Sequence, residues 1–173
     1  MAGRTIWITG LAGAGKTTVA RLLADRLCQS GEAPILLDGD ALREVFGRTT
    51  QFEKEDRLAL AGQYGRLCRE LSAQGFTVIC ATISMFDDVR AWNRAHIPGY
   101  LEVFLRVPAD ELRRRDQKGL YSQTGSDVAG PVVGIDQAFE APKTPDLVID
   151  HFGATAPESA AAHIYDTLVR PHA

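Results

Sequence analysis

No stretch of the 173-residue sequence reaches the roughly 18 consecutive apolar residues that a membrane-spanning helix needs. The N-terminus also has no apolar signal segment followed by a cleavage site. The formal net charge is −3, so the chain has no overall basic field to attract a nucleic-acid polymer or an anionic membrane. We therefore expect a cytoplasmic protein with neither of these partners.

Cysteine is scarce, and its spacing excludes a cysteine-based metal site. The three cysteines are Cys28, Cys68 and Cys80, and they form no CxxC or Cys/His pattern. Because each lies in an apolar stretch, we interpret all three as reduced core residues. With 45% hydrophobic residues, the chain is long enough to form a single domain over residues 1–173 with a substantial core.

Short apolar runs alternate with helical patterns along the chain. Alternation of this kind predicts an α/β fold in which helices cover both faces of a five-stranded parallel sheet. Sites in such folds lie at the carboxyl ends of the strands. Five runs are predicted as buried strands, namely 5–9, 34–38, 76–82, 100–107 and 146–150.

One long segment breaks this rhythm. From Asp116 to about Thr144 the sequence is rich in glycine, proline and polar residues and has no clear period. A loop of this length in a small domain is more often a functional lid than a passive connection. We therefore predict a lid over about 116–144.

The first strand is followed by a complete phosphate-binding motif. Gly10 to Thr17 matches G-x-x-x-x-G-K-[ST] between a predicted strand and a predicted helix, which is the context that the motif requires. Lys16 would neutralise the β- and γ-phosphates and Thr17 would bind Mg²⁺, whereas the alternative is a glycine-rich turn without a ligand. No guanine-reading N-K-x-D motif is present, which favours ATP over GTP. The predicted ATP-binding residues are Gly10, Leu11, Ala12, Gly13, Ala14, Gly15, Lys16, Thr17 and Thr18.

Two carboxylates end the second predicted strand. Asp38 and Asp40 are separated by one glycine and should lie at the same edge of the sheet as the phosphates. Phosphoryl transfer needs a carboxylate near the acceptor hydroxyl and cations near the phosphate oxygens, so both aspartates are candidate catalytic residues. The alternative is an ordinary Asp-Gly turn.

Six sequence segments together resemble the adenylylsulfate kinases. They occur in that family's order over about Ile6 to Asp150, and they are GLAGAGKTT, DGDALR, EDR, ATIS, RDQKGLY and GIDQAFEAP. The resemblance implies a P-loop NTPase fold of the nucleoside-monophosphate-kinase type. It also implies transfer of the ATP γ-phosphate to the 3′-hydroxyl of adenosine 5′-phosphosulfate, with Mg²⁺ held by Thr17 and Asp38. A homodimer is expected because family members often pair.

The resemblance also assigns residues to the nucleotides. Asp40, Arg43, Phe52, Arg57 and Ile83 would contact the acceptor, with the arginines on its anionic groups and the Phe52 ring on its base. Taken singly, the arginines could be solvated helix charges and Phe52 a core aromatic. In the lid, Arg115 would bind ATP, Lys118 would be catalytic, and Lys118, Gly119 and Leu120 would contact the acceptor.

Ser84 occupies the place of a serine that the family describes as a possible phosphoserine intermediate. Direct in-line transfer needs no covalent step, and no histidine lies nearby in the sequence to activate the hydroxyl. We therefore interpret Ser84 as a hydrogen-bonding residue at the catalytic centre.

Three departures from the family pattern bear on the acceptor. Leu60 stands where an asparagine is usual, a valine stands where a second stacking phenylalanine is usual, and Met85 follows Ser84 in place of proline. TISMF and AWNR (91–94) resemble a branch that is encoded with surface-polysaccharide genes, and some of its members phosphorylate cytidine diphosphoramidate. Three alternatives therefore stay open: a 3′-hydroxyl kinase for such a nucleotide, a kinase for a small metabolite, and an ATP-sensing domain without turnover.

Overall fold

The computed structural model describes residues 3–47, 53–115 and 139–169. Strands and helices alternate along most of the chain. In order they are β1 (Arg4–Thr9), α1 (Lys16–Gln29), β2 (Ile35–Asp38), α2 (Gly39–Val45), α3 (Lys54–Ala73), β3 (Thr77–Ala81), α4 (Asp87–His96), β4 (Tyr100–Arg106), α5 (Ala109–Arg115), β5 (Leu147–Asp150) and α6 (Pro157–Val169).

The five strands form one parallel sheet in the order β2-β3-β1-β4-β5. β1 is central, and its residue Ile6 pairs with Ile79 of β3 and Leu101 of β4. All residues of β1 from Thr5 to Thr9 are buried, as expected for a strand covered on both faces. The predicted fold class and all five predicted strands are confirmed.

Each face of the sheet has its own hydrophobic core. Ile6 and Ile8 of β1 point towards α1, α5 and α6, and there they pack in a cluster that includes Leu23 and Ile164. Trp7 points to the opposite face, where α2, α3 and α4 pack. This alternation is what a period of two in a strand requires.

The prediction that all three cysteines are core residues is wrong for Cys28. Cys68 and Cys80 are buried, but Cys28 is exposed, and all three thiols are free. The buried position at this turn of α1 belongs to Leu27 instead, so Cys28 falls on the solvent side of the helix.

The carboxyl ends of the strands meet at one edge of the sheet, as the parallel topology demands. Thr9 and Asp38 end β1 and β2 there, and α1 and α2 begin just beyond them. The predicted lid lies outside the described residues up to position 138. In the part of the chain that the structure describes, no helix has the length and apolar character needed to cross a membrane.

Candidate active site

The loop between β1 and α1 is shaped by two glycines. Gly13 and Gly15 have φ angles of 75° and 87°, in the left-handed region that favours glycine. The Ala14 N–H donates to the Leu11 carbonyl at 3.1 Å, which closes the loop into a tight turn. Gly15 then caps α1 at its N-terminus. The first N–H groups of a helix have no intrahelical acceptor, and the helix dipole places partial positive charge there, so the loop can bind an anion.

The two residues that follow Gly15 bring a cation and a hydroxyl to this loop. The Lys16 Nζ donates to the Leu11 carbonyl at 2.8 Å, so the side chain folds back across the loop and does not extend into solvent. The Thr17 hydroxyl donates to Asp38 Oδ2 at 2.6 Å. Thr18 is exposed. The structure therefore joins the phosphate loop to the end of β2 through Thr17 and Asp38.

The Asp-Gly-Asp segment starts a helix and does not form an isolated turn. Asp38 is the N-cap of α2, and its Oδ1 accepts the Asp40 N–H at 2.9 Å. One Asp38 oxygen thus holds α2 while the other faces Thr17, a common use of aspartate at a helix N-terminus. On the first turn of α2, Asp40 Oδ1 pairs with Arg43 Nη2 at 2.5 Å. Hydrogen bonds and an ion pair therefore link four predicted site residues in a chain of contacts: Thr17, Asp38, Asp40 and Arg43.

The oxygen donors at this junction fit Mg²⁺. Thr17 and Asp38 offer a hydroxyl and a carboxylate 2.6 Å apart, and Mg²⁺ prefers such hard ligands. Within residues 3–47, 53–115 and 139–169, no cluster of three or more His, Cys, Asp or Glu side chains could hold a metal. A ligand set of one hydroxyl and one carboxylate suits an ion that completes its coordination with water and substrate phosphates.

Helix α3 lies beside the carboxylates of Asp38 and Asp40. Tyr64 donates to the Gly39 carbonyl at 3.4 Å. Burial raises the pKa of Tyr64 to about 12, and the charges of Arg43, Asp40 and Asp38 also act on it. Two turns earlier on α3, the guanidinium of Arg57 lies 5.6 Å from the centre of the Phe86 ring. Burial lowers the pKa of Arg57. Both predicted acceptor-binding arginines therefore lie on helices that flank Asp38.

The loop after β3 contributes Ile83 and Ser84. The Ile83 carbonyl accepts from the Thr9 hydroxyl, which fixes this loop to the end of β1. Ser84 has a φ of 27°, a strained value for a residue other than glycine. Its hydroxyl is buried and lies 2.8 Å from that of Thr82. This arrangement favours a hydrogen-bonding role for Ser84.

Arg115, the predicted ATP-binding residue at the end of α5, contacts His151, a residue that the sequence did not single out. Its guanidinium donates to Glu111 and to the His151 carbonyl, both at 2.8 Å. His151 is buried, and a Cβ atom on Gly15 would stand only 2.9 Å from its Nε2. The imidazole thus packs directly against the phosphate loop. The available signal was its position immediately after the last strand, at the edge where the site forms.

Because His151 is buried, we expect the protein to lose stability in mild acid. Burial first, and the charge of Arg115 second, lower its pKa below the ordinary value of 6.5. Below about pH 6.5 the unfolded chain therefore binds a proton that the folded chain does not, and the free energy of unfolding decreases. Above that pH both states are neutral at this residue, so the effect disappears. Urea unfolding from pH 7.5 to 5 should show a smaller loss of stability in His151→Gln than in the wild type.

The exposed His163 of α6 provides the control for this measurement. His163→Gln should retain the wild-type dependence on pH. Equal pH slopes in His151→Gln and the wild type would contradict the assignment.

Four predicted site residues lie outside the described residues. They are Phe52, Lys118, Gly119 and Leu120, and their roles stay predictions. Gly10, by contrast, is described and buried. A Cβ atom there would stand 2.7 Å from the Leu105 carbonyl, so the close approach of β1 and β4 requires glycine at this position.

Comparison with known proteins places this geometry in a family. The family model for adenylylsulphate kinase matches residues 2–150. The cytidine diphosphoramidate kinase of Campylobacter jejuni is 39% identical over 146 residues, covering 84% of this chain and 85% of that protein. The adenylyl-sulfate kinase of Paraburkholderia xenovorans is 40% identical over 149 residues, covering 86% and 83%.

A solved structure shows the same architecture. The Mycobacterium tuberculosis APS kinase, in complex with AMPPNP and APS, superposes with a TM-score of 0.87 at 31% identity. The match covers 96% of this chain and 98% of that one. The chain therefore belongs to the adenylylsulphate kinase family and is a kinase, an enzyme that transfers a phosphoryl group from ATP to a hydroxyl.

Proposed function

We propose that the chain is an adenylylsulfate kinase, which transfers the γ-phosphoryl group of ATP to the 3′-hydroxyl of adenosine 5′-phosphosulfate. The observation that carries this proposal is the link from the phosphate loop to the end of β2, where Thr17 contacts Asp38 at 2.6 Å. This link places a carboxylate beside the loop that would hold the donor phosphate, as phosphoryl transfer to a hydroxyl requires.

On the donor side, the loop from Gly10 to Thr17 surrounds the ATP phosphates. Its main-chain N–H groups and the N-terminus of α1 bind the phosphate oxygens. Lys16 moves from the Leu11 carbonyl to the β- and γ-phosphates, where it neutralises charge in the transition state. Thr17 and Asp38 would hold Mg²⁺, which supplies further neutralisation of the phosphate oxygens.

Asp38 is also our candidate for the general base. One of its oxygens is fixed by the Asp40 N–H at 2.9 Å, so the carboxylate has a defined orientation. It accepts the proton of the acceptor hydroxyl as the oxygen–phosphorus bond forms and the bond to ADP breaks. Asp40 is fixed by Arg43 and orients the acceptor beside it.

On the acceptor side, arginines on two helices bind the anionic groups. Arg43 lies on α2 and Arg57 lies on α3. Arg57 stacks on Phe86, which orients the guanidinium while leaving its N–H groups for a phosphate or sulfate. Two separate arginines suit an acceptor with two neighbouring anionic groups, such as a phosphosulfate.

A second acceptor is favoured by a specific feature of α3. Leu60 stands one turn after Arg57, where family members usually have asparagine, and it packs against the core on this face of the sheet. An apolar side chain offers no hydrogen bond to a nucleotide at that point. Together with the Campylobacter jejuni relative, this makes cytidine diphosphoramidate the alternative acceptor.

The ratio of kcat/KM for the two acceptors tests the proposal. With saturating Mg-ATP, ADP release should depend on the acceptor, and adenosine 5′-phosphosulfate should be preferred by about tenfold or more. A preference of that size for cytidine diphosphoramidate would replace the leading substrate with the alternative. Tight ATP binding without turnover on either nucleotide would instead favour an ATP-sensing domain.

We also propose a homodimer, for which light scattering should give twice the mass of the chain.

A further inference from the structure

Glu140 belongs to the GIDQAFEAP segment, and none of the roles described above uses it. Its main-chain N–H donates to the Met85 carbonyl at 3.1 Å. Its side-chain Oε2 accepts the Asp87 N–H at 2.6 Å. Glu140 therefore contacts the loop between β3 and α4 with its backbone and the first residue of α4 with its carboxylate, across more than 50 residues of sequence.

The carboxylate of Glu140 acts as the missing cap of α4. The N-cap residue of this helix is Phe86, whose side chain offers no capping hydrogen bond. The first N–H groups of a helix need an acceptor, and negative charge is favourable beside them. Glu140 supplies both to Asp87, the first residue of α4. Its Oε1 also lies 4.0 Å from the Nζ of Lys54, in the first turn of α3.

The loop that Glu140 holds leads directly to the acceptor side of the site. Met85 and Phe86 are buried, and the Phe86 ring lies under the Arg57 guanidinium at 5.6 Å. Arg57 Nε is buried without a hydrogen-bond partner among the residues that the structure describes. The contact with the Phe86 ring therefore helps to set where this guanidinium lies. Any displacement of the loop would move Arg57 as well.

Other contacts of α4 are of a different kind. Asp87 pairs with Arg90 and with Lys143 Nζ at 2.7 Å. The Lys143 side chain is 80% exposed, so this ion pair is screened by solvent and contributes little. Lys143 lies three residues after Glu140 and contacts the same residue of α4, yet it does not contact the Met85 carbonyl or the Asp87 N–H. It therefore provides a matched control.

We infer that Glu140 is a positioning residue for the acceptor nucleotide: it fixes Met85, Phe86 and the start of α4 against α3, and so holds Arg57 in its binding position. This inference rests on the proposed function for the identity of the acceptor. Its effect should be confined to the acceptor side, because the contacts of Glu140 do not include the phosphate loop, Lys16 or Asp38.

Steady-state kinetics of Glu140→Ala, Glu140→Gln and Lys143→Ala, with whichever acceptor the wild type uses better, test the inference. We expect Glu140→Ala to raise the KM for the acceptor by about tenfold and to leave the KM for ATP within about twofold. Glu140→Gln retains an oxygen that can accept the Asp87 N–H and should remain within about threefold of the wild type. Lys143→Ala should leave both KM values within about twofold.

Amide exchange supplies a readout that does not depend on turnover. The Asp87 amide should exchange faster in Glu140→Ala than in the wild type or in Lys143→Ala. Unchanged exchange, or equal increases in the KM for ATP and acceptor, would overturn the inference. Faster exchange with an unchanged acceptor KM would reduce Glu140 to a structural cap and would also overturn it. If the wild type turned over neither acceptor, that result would count against the proposed function. The exchange rate of the Asp87 amide would still decide whether Glu140 holds the loop.

Discussion

Replacing Asp38 with asparagine should lower kcat by about 10²–10⁴-fold, which is the usual contribution of a positioned general base. The amide keeps the shape of the side chain and can still accept the Asp40 N–H, the contact that caps α2. The fold and the phosphate loop should therefore persist, and the affinity for ATP measured without Mg²⁺ should change little. Initial rates at saturating acceptor, with ATP binding measured by calorimetry, separate the two quantities.

Asp110→Asn is a suitable control for this substitution. Asp110 lies in the first turn of α5 and so, like Asp38, is near the start of a helix, but its side chain is 96% exposed and pairs with Arg113 on the same helix. Its replacement should leave kcat unchanged. A kcat for Asp38→Asn close to that of the wild type would exclude Asp38 as the base.

Replacing Lys16 with methionine should lower kcat/KM by about 10²–10³-fold, because a cation directed at the transferring group is lost from the transition state. Methionine keeps an unbranched side chain but cannot donate to the Leu11 carbonyl or to a phosphate. In contrast to Asp38→Asn, this variant should also bind ATP more weakly, since the proposed role of the lysine is on the donor nucleotide itself.

Arg21→Met provides the comparison for Lys16→Met. Arg21 is an exposed cation on α1, the helix that Lys16 begins, so its loss changes the net charge by the same amount. We expect its kcat/KM to remain within about threefold of the wild type. Similar losses in both variants would show that the general charge of the helix matters, and not the position of Lys16.

The sheet and the donor side of the site could be predicted because their signals are local. Each strand is a short apolar run, and burial on both faces makes such runs continuous. The motif from Gly10 to Thr17 specifies its own backbone conformation through Gly13 and Gly15. The meeting of Thr17 with Asp38 also followed, since parallel strands place their carboxyl ends at one edge.

Features that depend on contacts between distant segments could not be predicted in this way. Asp38 was a plausible turn residue until the structure showed α2 starting after it. The contact of His151 with Gly15, and the contacts of Glu140 with Met85 and with the start of α4, join residues more than 50 positions apart. The apolar neighbours of Cys28 predict a core position for it, whereas the rotation of α1 places Leu27 inward. Sequence spacing alone does not fix that rotation near the end of a helix.

The position of the new phosphate on the product is the most direct test of the account. With Mg-ATP and adenosine 5′-phosphosulfate, ³¹P NMR should show one new phosphomonoester at the ribose 3′-oxygen for each ADP formed. The 3′-deoxy analogue of the acceptor should give no such product. ADP accompanied by inorganic phosphate at the same rate with and without the acceptor, or a phosphoryl group on any other atom of the nucleotide, would contradict transfer to the 3′-hydroxyl.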